Sequence, residues 1–304
     1  MLTISSISGG KSSAYMALHY PADRHIFAAV LTSDPACIIQ DADLRAYCQS
    51  KLPQFDWECG GCREVDQTLL NLQRLEQELG QSIDWVAAAL TFDELINGVR
   101  VNGVQDAARA RCYAARAVLP NRRQDFLPNR RQRFCTRALK LYPIFWACYL
   151  HGDGDPAIMQ IGFRHDEQAR VNRWSCKNDQ LEVPLRCDLA GQFAGKHRHS
   201  LIEWRVPDFP LARDGVTGAD VARYWQRRGW EWPLVSNCDF CFFHRPAQQR
   251  HQAERYPERA QWWIRKEQQV GATFGDKALA DILSPDQLDL FEPDLGQFAC
   301  ACTD

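Results

Sequence analysis

No stretch of the 304-residue chain approaches 18 consecutive apolar residues; the longest useful apolar run is Ile26–Leu31. That excludes a membrane-spanning helix as the organising element. The N-terminus lacks the basic segment and apolar core of a secretory leader, so a cytoplasmic protein is expected. Excess charge of one sign is missing overall, at a net −2. Also missing is the glycine that a Walker-type phosphate loop carries five residues before its Gly-Lys pair; Ser5 stands there. With 45% hydrophobic and 24% charged residues, what remains is a soluble globular chain long enough for one large α/β domain plus an appendage, or for two domains.

What is present begins at residue 2. Leu2, Ile4 and Ile7 mark a short strand running into Ser8-Gly9-Gly10-Lys11-Ser12-Ser13, where a helix opens at Ser12–Ser13. Glycines let successive N–H groups converge, and a helix N-terminus adds partial positive charge, so a phosphate is the natural guest. A plain strand-to-helix turn fits these six residues equally well.

Thirteen cysteines is a high, odd count. In a reducing compartment it gives weight to metal binding or redox chemistry over disulfides. Cys37, Cys48, Cys112, Cys148 and Cys187 read as small buried hydrophobes. Cys238-Asp-Phe-Cys241 reads differently, because Phe240, Phe242 and Phe243 would shield a metal from solvent. It is half a zinc site, half an iron–sulfur site or a redox dithiol. Cys59-Gly-Gly-Cys62 is the competitor, and the two pairs together would make a four-thiolate zinc centre.

The small net charge hides an asymmetry. Residues 109–140 carry ten basic side chains against one acid, Asp125, a local +9 that leaves −11 for the rest of the chain. Such a block points to anionic partners, a nucleotide or a nucleic-acid backbone. Within it Leu-Pro-Asn-Arg-Arg-Gln occurs twice, at 119–124 and 127–132, as a local duplication in an arginine-rich loop.

Strand-like and helix-like segments alternate through the first half: strands at Ile26–Leu31, Ile83–Leu90 and Ala157–Phe163, helices at Asp43–Leu52, Gln67–Leu79 and, opened by Pro143, Ile144–Leu150. The pattern predicts an α/β, doubly wound, mostly parallel sheet over residues 1–235, with 109–140 inserted. A helical, cysteine-bearing appendage follows over 236–304. Two more segments carry candidate chemistry: Arg133-Phe-Cys135-Thr136-Arg-Ala-Leu-Lys140-Leu-Tyr-Pro143, and Gly162-Phe-Arg164 through Arg170, whose guanidinium groups can hold phosphate or sulfate oxygens.

In this order the motifs resemble the phosphoadenosine-phosphosulfate (PAPS) reductase family, within the PP-loop (N-type) ATP pyrophosphatases. The matching pieces are Ser8–Ser13, Cys135…Lys140…Pro143, Gly162-x-Arg164…Arg170, Pro210-Leu…Asp220-Val-Ala-Arg-Tyr224 and Cys238-x-x-Cys241, spanning roughly residues 2–245. The resemblance implies an adenine-nucleotide α-hydrolase-like fold. It also implies ATP, or a sulfonucleotide (PAPS or its 3′-dephospho form, APS), bound by Ser8, Gly9, Gly10, Lys11, Ser12 and Ser13. Asp34 would help place Mg²⁺ or the nucleotide, and Lys140, Arg164 and Arg170 would hold its anionic end. Lys11 and Arg164 would assist the chemistry.

A [4Fe–4S] cluster is implied as well. Where the family's reductases show paired cysteines this chain has Cys135-Thr136, so the expected ligands are Cys135, Cys238, Cys241 and, from the tail, Cys300 in preference to Cys302. Two further departures stand out. Ser12 occupies a position usually held by Asp in adenylating members, and the reductases' C-terminal Glu-Cys-Gly is absent, leaving Cys302 as the candidate nucleophile. The Cys-Thr version is most similar to phage-type and DNA-phosphorothioation-type members. The leading expectation is an adenine-nucleotide-dependent sulfur-transfer enzyme that adenylates an acceptor, a nucleic acid or a nucleoside, and inserts sulfur with the cluster; a nucleic acid would dock through 109–140, and a separate sulfur donor would take part. The alternatives are a sulfonucleotide reductase releasing sulfite to a thioredoxin-like reductant, and a non-catalytic nucleotide- or nucleic-acid-binding protein.

Overall fold

The computed structural model describes residues 1–97, 127–152, 154–175, 180–186, 197–235 and 238–284. In chain order, β1 (Thr3–Ile7) and α1 (Lys11–His19) precede β2 (Arg24–Ala29), the short β3 (Leu31–Thr32), α2 (Ala42–Lys51) and the short β4 (Gly61–Cys62). Next come α3 (Asp66–Leu79), β5 (Ile83–Ala87) and α4 (Phe92–Ile96). A further helical run joins α5 (Phe134–Thr136), a π-helical stretch at Arg137–Leu141 and α6 (Tyr142–His151). Then follow β6 (Ala157–Gln160), α7 (Gln168–Ser175), the antiparallel pair β7 (Gln180–Arg186) and β8 (His197–Glu203), β9 (Arg205–Asp208), α8 (Pro210–Arg213) and α9 (Gly218–Arg228). The described chain ends with α10 (Pro246–Arg255), α11 (Pro257–Val270) and α12 (Leu279–Ile282).

Five strands form one all-parallel sheet in the order β5-β2-β1-β6-β9. The path moves outward from β1 to β2 and β5, then returns to β6 on the other flank and continues to β9. Strand order therefore reverses between β1 and β6, and in open parallel sheets that crevice is where ligands sit. Alternation along the strands feeds two cores, because successive side chains point to opposite faces. Ile7, Phe27 and Ala29 pack with Leu69, Leu72 and Trp225 on one face. Ile4, Ile26 and Ala28 pack with Phe145, Met159 and Trp204 on the other.

Two local readings change. The apolar run Ile26–Leu31 is not one strand: β2 ends at Ala29, and Leu31–Thr32 pairs antiparallel with Gly61–Cys62. Val30 explains the break, since its carbonyl accepts from Arg63 N–H at 2.8 Å and its N–H donates to Glu64 Oε2 at 3.3 Å. Pro143 does sit in the first turn of α6, which Gly152 ends, but the helix is not new there: the helical run begins nine residues earlier, at Phe134. Proline lacks an N–H and crowds the carbonyl four residues back. The widened turn before it, where Tyr142 N–H bonds to Arg137 O, takes up that misfit.

The described C-terminal residues share a core with the α/β part. Phe240, Trp262, Trp263 and Phe274 pack against Val30, Phe92, Leu95 and Phe134. Among the described residues no helix is long and apolar enough to cross a membrane. Of the cysteines read as buried hydrophobes, Cys48 and Cys148 are so, with burial pushing each thiol up to about 12. Cys37 is buried too, but among charges. Cys112 and Cys187 lie outside the described residues, as does the first copy of the duplicated hexapeptide.

Candidate functional site

The loop after β1 is shaped by hydroxyls and by two glycines. Gly9 sits at φ +77°, and a Cβ there would lie 2.5 Å from Thr68 Cγ2, so both the conformation and the space demand glycine. Ser13 closes the loop: its Oγ accepts from Ser8 N–H at 3.1 Å, lies 3.0 Å from Ser8 Oγ and donates to Gly10 O. Lys11 begins α1 with its side chain exposed, and its carbonyl accepts from Trp225 Nε1 at 2.9 Å. From the other side of the crevice, a Cβ on Gly162 would come within 3.0 Å of Ser13 N, so the exit of β6 lies directly against the start of α1. Two residues on, Arg164 donates to Ser12 Oγ at 3.0 Å and pairs with Asp166 and Glu167. Arg170 is engaged with Glu167 and stacks on Phe163, one step behind Arg164.

At the carboxyl ends of β1, β2 and β6 lies a small cavity of about 30 Å³. Ser6, Ser8, Phe27, Ala28 and Ile161 line it, and Lys140 and Arg205 bring it two cationic side chains. The Arg205 guanidinium is held between Trp174 and Trp204, at 4.4 and 4.3 Å from their ring centres. A second small cavity, also of about 30 Å³, has Cys135, Thr136, Cys238 and Cys241 in its wall. Val30, Phe92, Leu139, Phe242, Trp263 and Phe274 make the rest of that wall apolar, and Lys140 is part of it as well. Lys140 thus lines both cavities, with Nζ held 3.1 Å from Glu64 Oε1. The π-helical stretch accounts for its placement on the same short run as Cys135.

Glu64, almost wholly buried, is a hub. Its Oε1 takes Lys140 and the Cys238 thiol at 3.8 Å, while Oε2 takes Cys62 Sγ at 2.7 Å. Burial and this carboxylate push the Cys62 thiol far up. Behind it lies a charge network. Arg63, fully buried, meets Asp34 at 3.1 Å, Asp93 at 3.6 Å and Asp239 at 3.7 Å, with Trp262 stacked 3.8 Å from its guanidinium carbon. Arg259 adds a second cation beside Asp239. Burial pushes the Asp239 carboxyl up, and the two arginines oppose that shift. The Cys238–Cys241 turn is fixed through Phe240, held at φ +47°, whose N–H donates to the buried Gln252 at 3.0 Å.

The structure therefore brings Ser8–Ser13 and Arg164 together at one crevice, and Cys135, Cys238 and Cys241 around one cavity, with Lys140 common to both cavities. Asp34 is committed elsewhere, to Arg63 and to the N–H of Ala36. Cys59 is exposed beside Asp56, apart from the buried Cys62. Cys300 and Cys302 lie outside the described residues, as do residues 109–126. Among the described residues no three or more His, Cys, Asp or Glu side chains, as they stand, form a group that could hold a metal ion. Sequence reading missed Arg63, Glu64, Asp239, Arg259 and Arg205. The available signal was position: Arg63-Glu64 directly follows one Cys-x-x-Cys pair, and Asp239 lies inside the other.

Comparison of the chain with family models, with curated proteins and with solved structures returned no match.

Proposed function

We propose that this protein is an adenine-nucleotide-dependent sulfur-transfer enzyme of the PAPS reductase-like kind, built on an adenine-nucleotide α-hydrolase-like fold. The observation that carries the reading is Lys140, one cationic residue lining both the cavity beside the Ser8 loop and the cavity of the three thiols. A cation shared between an anion-binding crevice and a sulfur-rich pocket suits a reaction that joins phosphate and sulfur chemistry.

The nucleotide phosphates sit on the amides of Gly9, Gly10 and Lys11, at the positive end of α1. Arg164 orients the Ser12 hydroxyl toward them, and Lys140 faces the reacting end. An acceptor oxygen attacks the α-phosphorus, and the bond to the β-phosphate oxygen breaks, releasing pyrophosphate. Hydrosulfide sulfur then bonds to the acceptor atom that carries the adenylated oxygen, which leaves with AMP; the proton of hydrosulfide passes to solvent. The amides and cations lower the barriers by meeting charge that develops on the phosphoryl oxygens. Phosphates and water would supply most ligands of a Mg²⁺ carried by the nucleotide, since the Asp34 carboxylate is engaged by Arg63 and the Ala36 N–H.

Thiols in an otherwise apolar wall suit a soft inorganic centre, with Cys135, Cys238 and Cys241 as holders. Such a [4Fe–4S] cluster would supply an electron-rich site for reduced sulfur. Besides Lys140, the described basic residues of the stretch offered to a nucleic-acid acceptor are Arg130, Arg131, Arg133 and Arg137.

The test uses anaerobically purified protein with ATP, hydrosulfide and either RNA or DNA, following pyrophosphate, AMP and sulfur incorporated into the polymer. All three are expected together, and all three vanish in Lys140→Met. Sulfite from a sulfonucleotide plus dithiol, with no pyrophosphate from ATP, would replace this reading with a reductase. Tight nucleotide binding without turnover would replace it with a binding protein.

A further inference from the structure

The two Cys-x-x-Cys segments are 176 residues apart in sequence, yet they lie side by side. Asp239 N–H donates to Arg63 O at 2.8 Å, so the residues following Cys62 and Cys238 are joined backbone to backbone. Arg63 then grips Asp239 through its side chain, and Arg259 grips it from α11. Two buried cations on one carboxylate make this a rigid seam.

Across the seam, the sulfurs of Cys62 and Cys238 touch opposite oxygens of one carboxylate, Glu64. Cys238 also lines the cavity with Cys135 and Cys241. Thr136 lines the same cavity, and a threonine hydroxyl is a poor match for soft iron or zinc. A fourth sulfur, that of Cys62, shares the Glu64 carboxylate with Cys238. Cys59, its partner in sequence, is exposed and turned toward Asp56, so the thiol that the fold delivers to this place is Cys62.

We propose that Cys62, and not a cysteine of the C-terminal tail, is the fourth thiolate of the inorganic centre held by Cys135, Cys238 and Cys241. The proposal rests on the reading of that cavity as the seat of a cluster. On ligation Cys62 exchanges its contact with Glu64 for a sulfur–metal bond and gives up its thiol proton. Glu64 stays paired with Lys140.

The experiment compares full-length wild type with Cys62→Ser, Cys59→Ser, Cys300→Ser and Cys302→Ser. All are purified anaerobically and assayed for iron, sulfide, zinc and the visible thiolate-to-iron band. Loss of an outer partner of a metal ligand already costs about 10–100-fold in affinity, so Cys62→Ser is expected to lose at least about tenfold in retained iron. The other three variants keep the wild-type content. Iron retained in Cys62→Ser but lost in Cys300→Ser or Cys302→Ser overturns the proposal and leaves the cluster reading standing. Wild type without iron overturns the cluster reading itself. Should Cys62→Ser fail to fold, Cys62→His supplies a ligating replacement. It is expected to keep iron with a shifted visible band, and an unshifted band overturns the proposal.

Discussion

Arg164 donates from Nη1 to the Ser12 hydroxyl across 3.0 Å, tying the exit of β6 to the first turn of α1. Its own charge is balanced by Asp166 and Glu167, so the arginine both faces the loop and masks two carboxylates from it. Arg164→Ala removes a donor and unmasks negative charge where an anion is to bind. Charge-assisted hydrogen bonds contribute about 1.5–3 kcal/mol, so the Kd for ATP is expected to rise about 10–100-fold, measured by calorimetry. Arg164→Lys keeps the charge but not the planar fork, and should fall between the two. An unchanged Kd in Arg164→Ala would remove this residue from the site.

Gly9 offers a test in which conformation and space separate. Gly9→Ala must place an L residue at φ +77° and push a methyl into Thr68 Cγ2 at 2.5 Å. The two costs together are expected to be about 2–5 kcal/mol, from roughly 1–2 for the left-handed backbone and 1–3 for overpacking. Thr68→Ser deletes the clashing methyl, so the double variant should recover the packing part and none of the backbone part. Urea unfolding of the four proteins in the cycle checks this; full recovery would mean that the backbone imposes no cost.

Lys140 and Glu64 make a third test. Glu64 is about 1% exposed, and Lys140 lies 3.1 Å from it. Breaking a buried pair from one side strands the other charge and costs about 3–5 kcal/mol. Lys140→Met should therefore destabilise by about that much, while Lys140→Met with Glu64→Gln recovers most of it. Activity should stay absent in both, since neither carries the ammonium group. Stability recovered together with activity would relieve Lys140 of its place between the two cavities.

The parts of the molecule that were legible in sequence are those where one local signal decides the outcome. Periodic leucines with a terminal glycine read directly as α3, and Gly80 does end it in a left-handed conformation. Alternating strands and helices read as a parallel sheet, and five parallel strands form it. The split of Ile26–Leu31 was not legible, because Val30 is diverted by Arg63 and Glu64, more than thirty residues away. The same holds for Asp34. A carboxylate just after a strand looks available to a metal or nucleotide, and only the fold reveals that Arg63 has taken it. Cys59 and Cys62 read as one pair, yet the turn that buries Cys62 leaves Cys59 in solvent. Long-range charge pairing leaves no periodic trace along a chain, which is why the hub at Glu64 and Arg63 was missed.

Arg63 itself should be among the costliest side chains to remove. It neutralises Asp34, Asp93 and Asp239 in the interior, and Trp262 covers its guanidinium face. Arg63→Met leaves three carboxylates with Arg259 as the nearest remaining cation at Asp239. A loss of about 3–5 kcal/mol or more is expected. The seam to the C-terminal helices should loosen first, because Asp239 belongs to that side. Limited proteolysis should cut between residues 236 and 284 before the parallel sheet is attacked. Simultaneous loss of both parts would show that the seam and the sheet unfold as one unit.

His25 sets a pH dependence whose sign follows from its burial. It lies near the start of the interior strand β2, opposite Ser5, about 2% exposed, and burial holds its pKa below the ordinary value of 6.5. The folded protein thus keeps His25 neutral where the unfolded chain protonates it. Below about pH 6.5 the unfolded state binds more protons, so stability is complete above that pH and falls as the pH drops through it toward the folded value. His151, also held low, chiefly by burial, contributes in the same direction. Replacing the titrating ring by an uncharged amide, in His25→Gln, should lower stability near pH 7.5 by disturbing the sheet, yet flatten the decline between about pH 6.5 and 5. Urea unfolding at half-unit steps measures both effects. A variant whose curve runs parallel to wild type across that window would show that His25 is not held neutral in the fold.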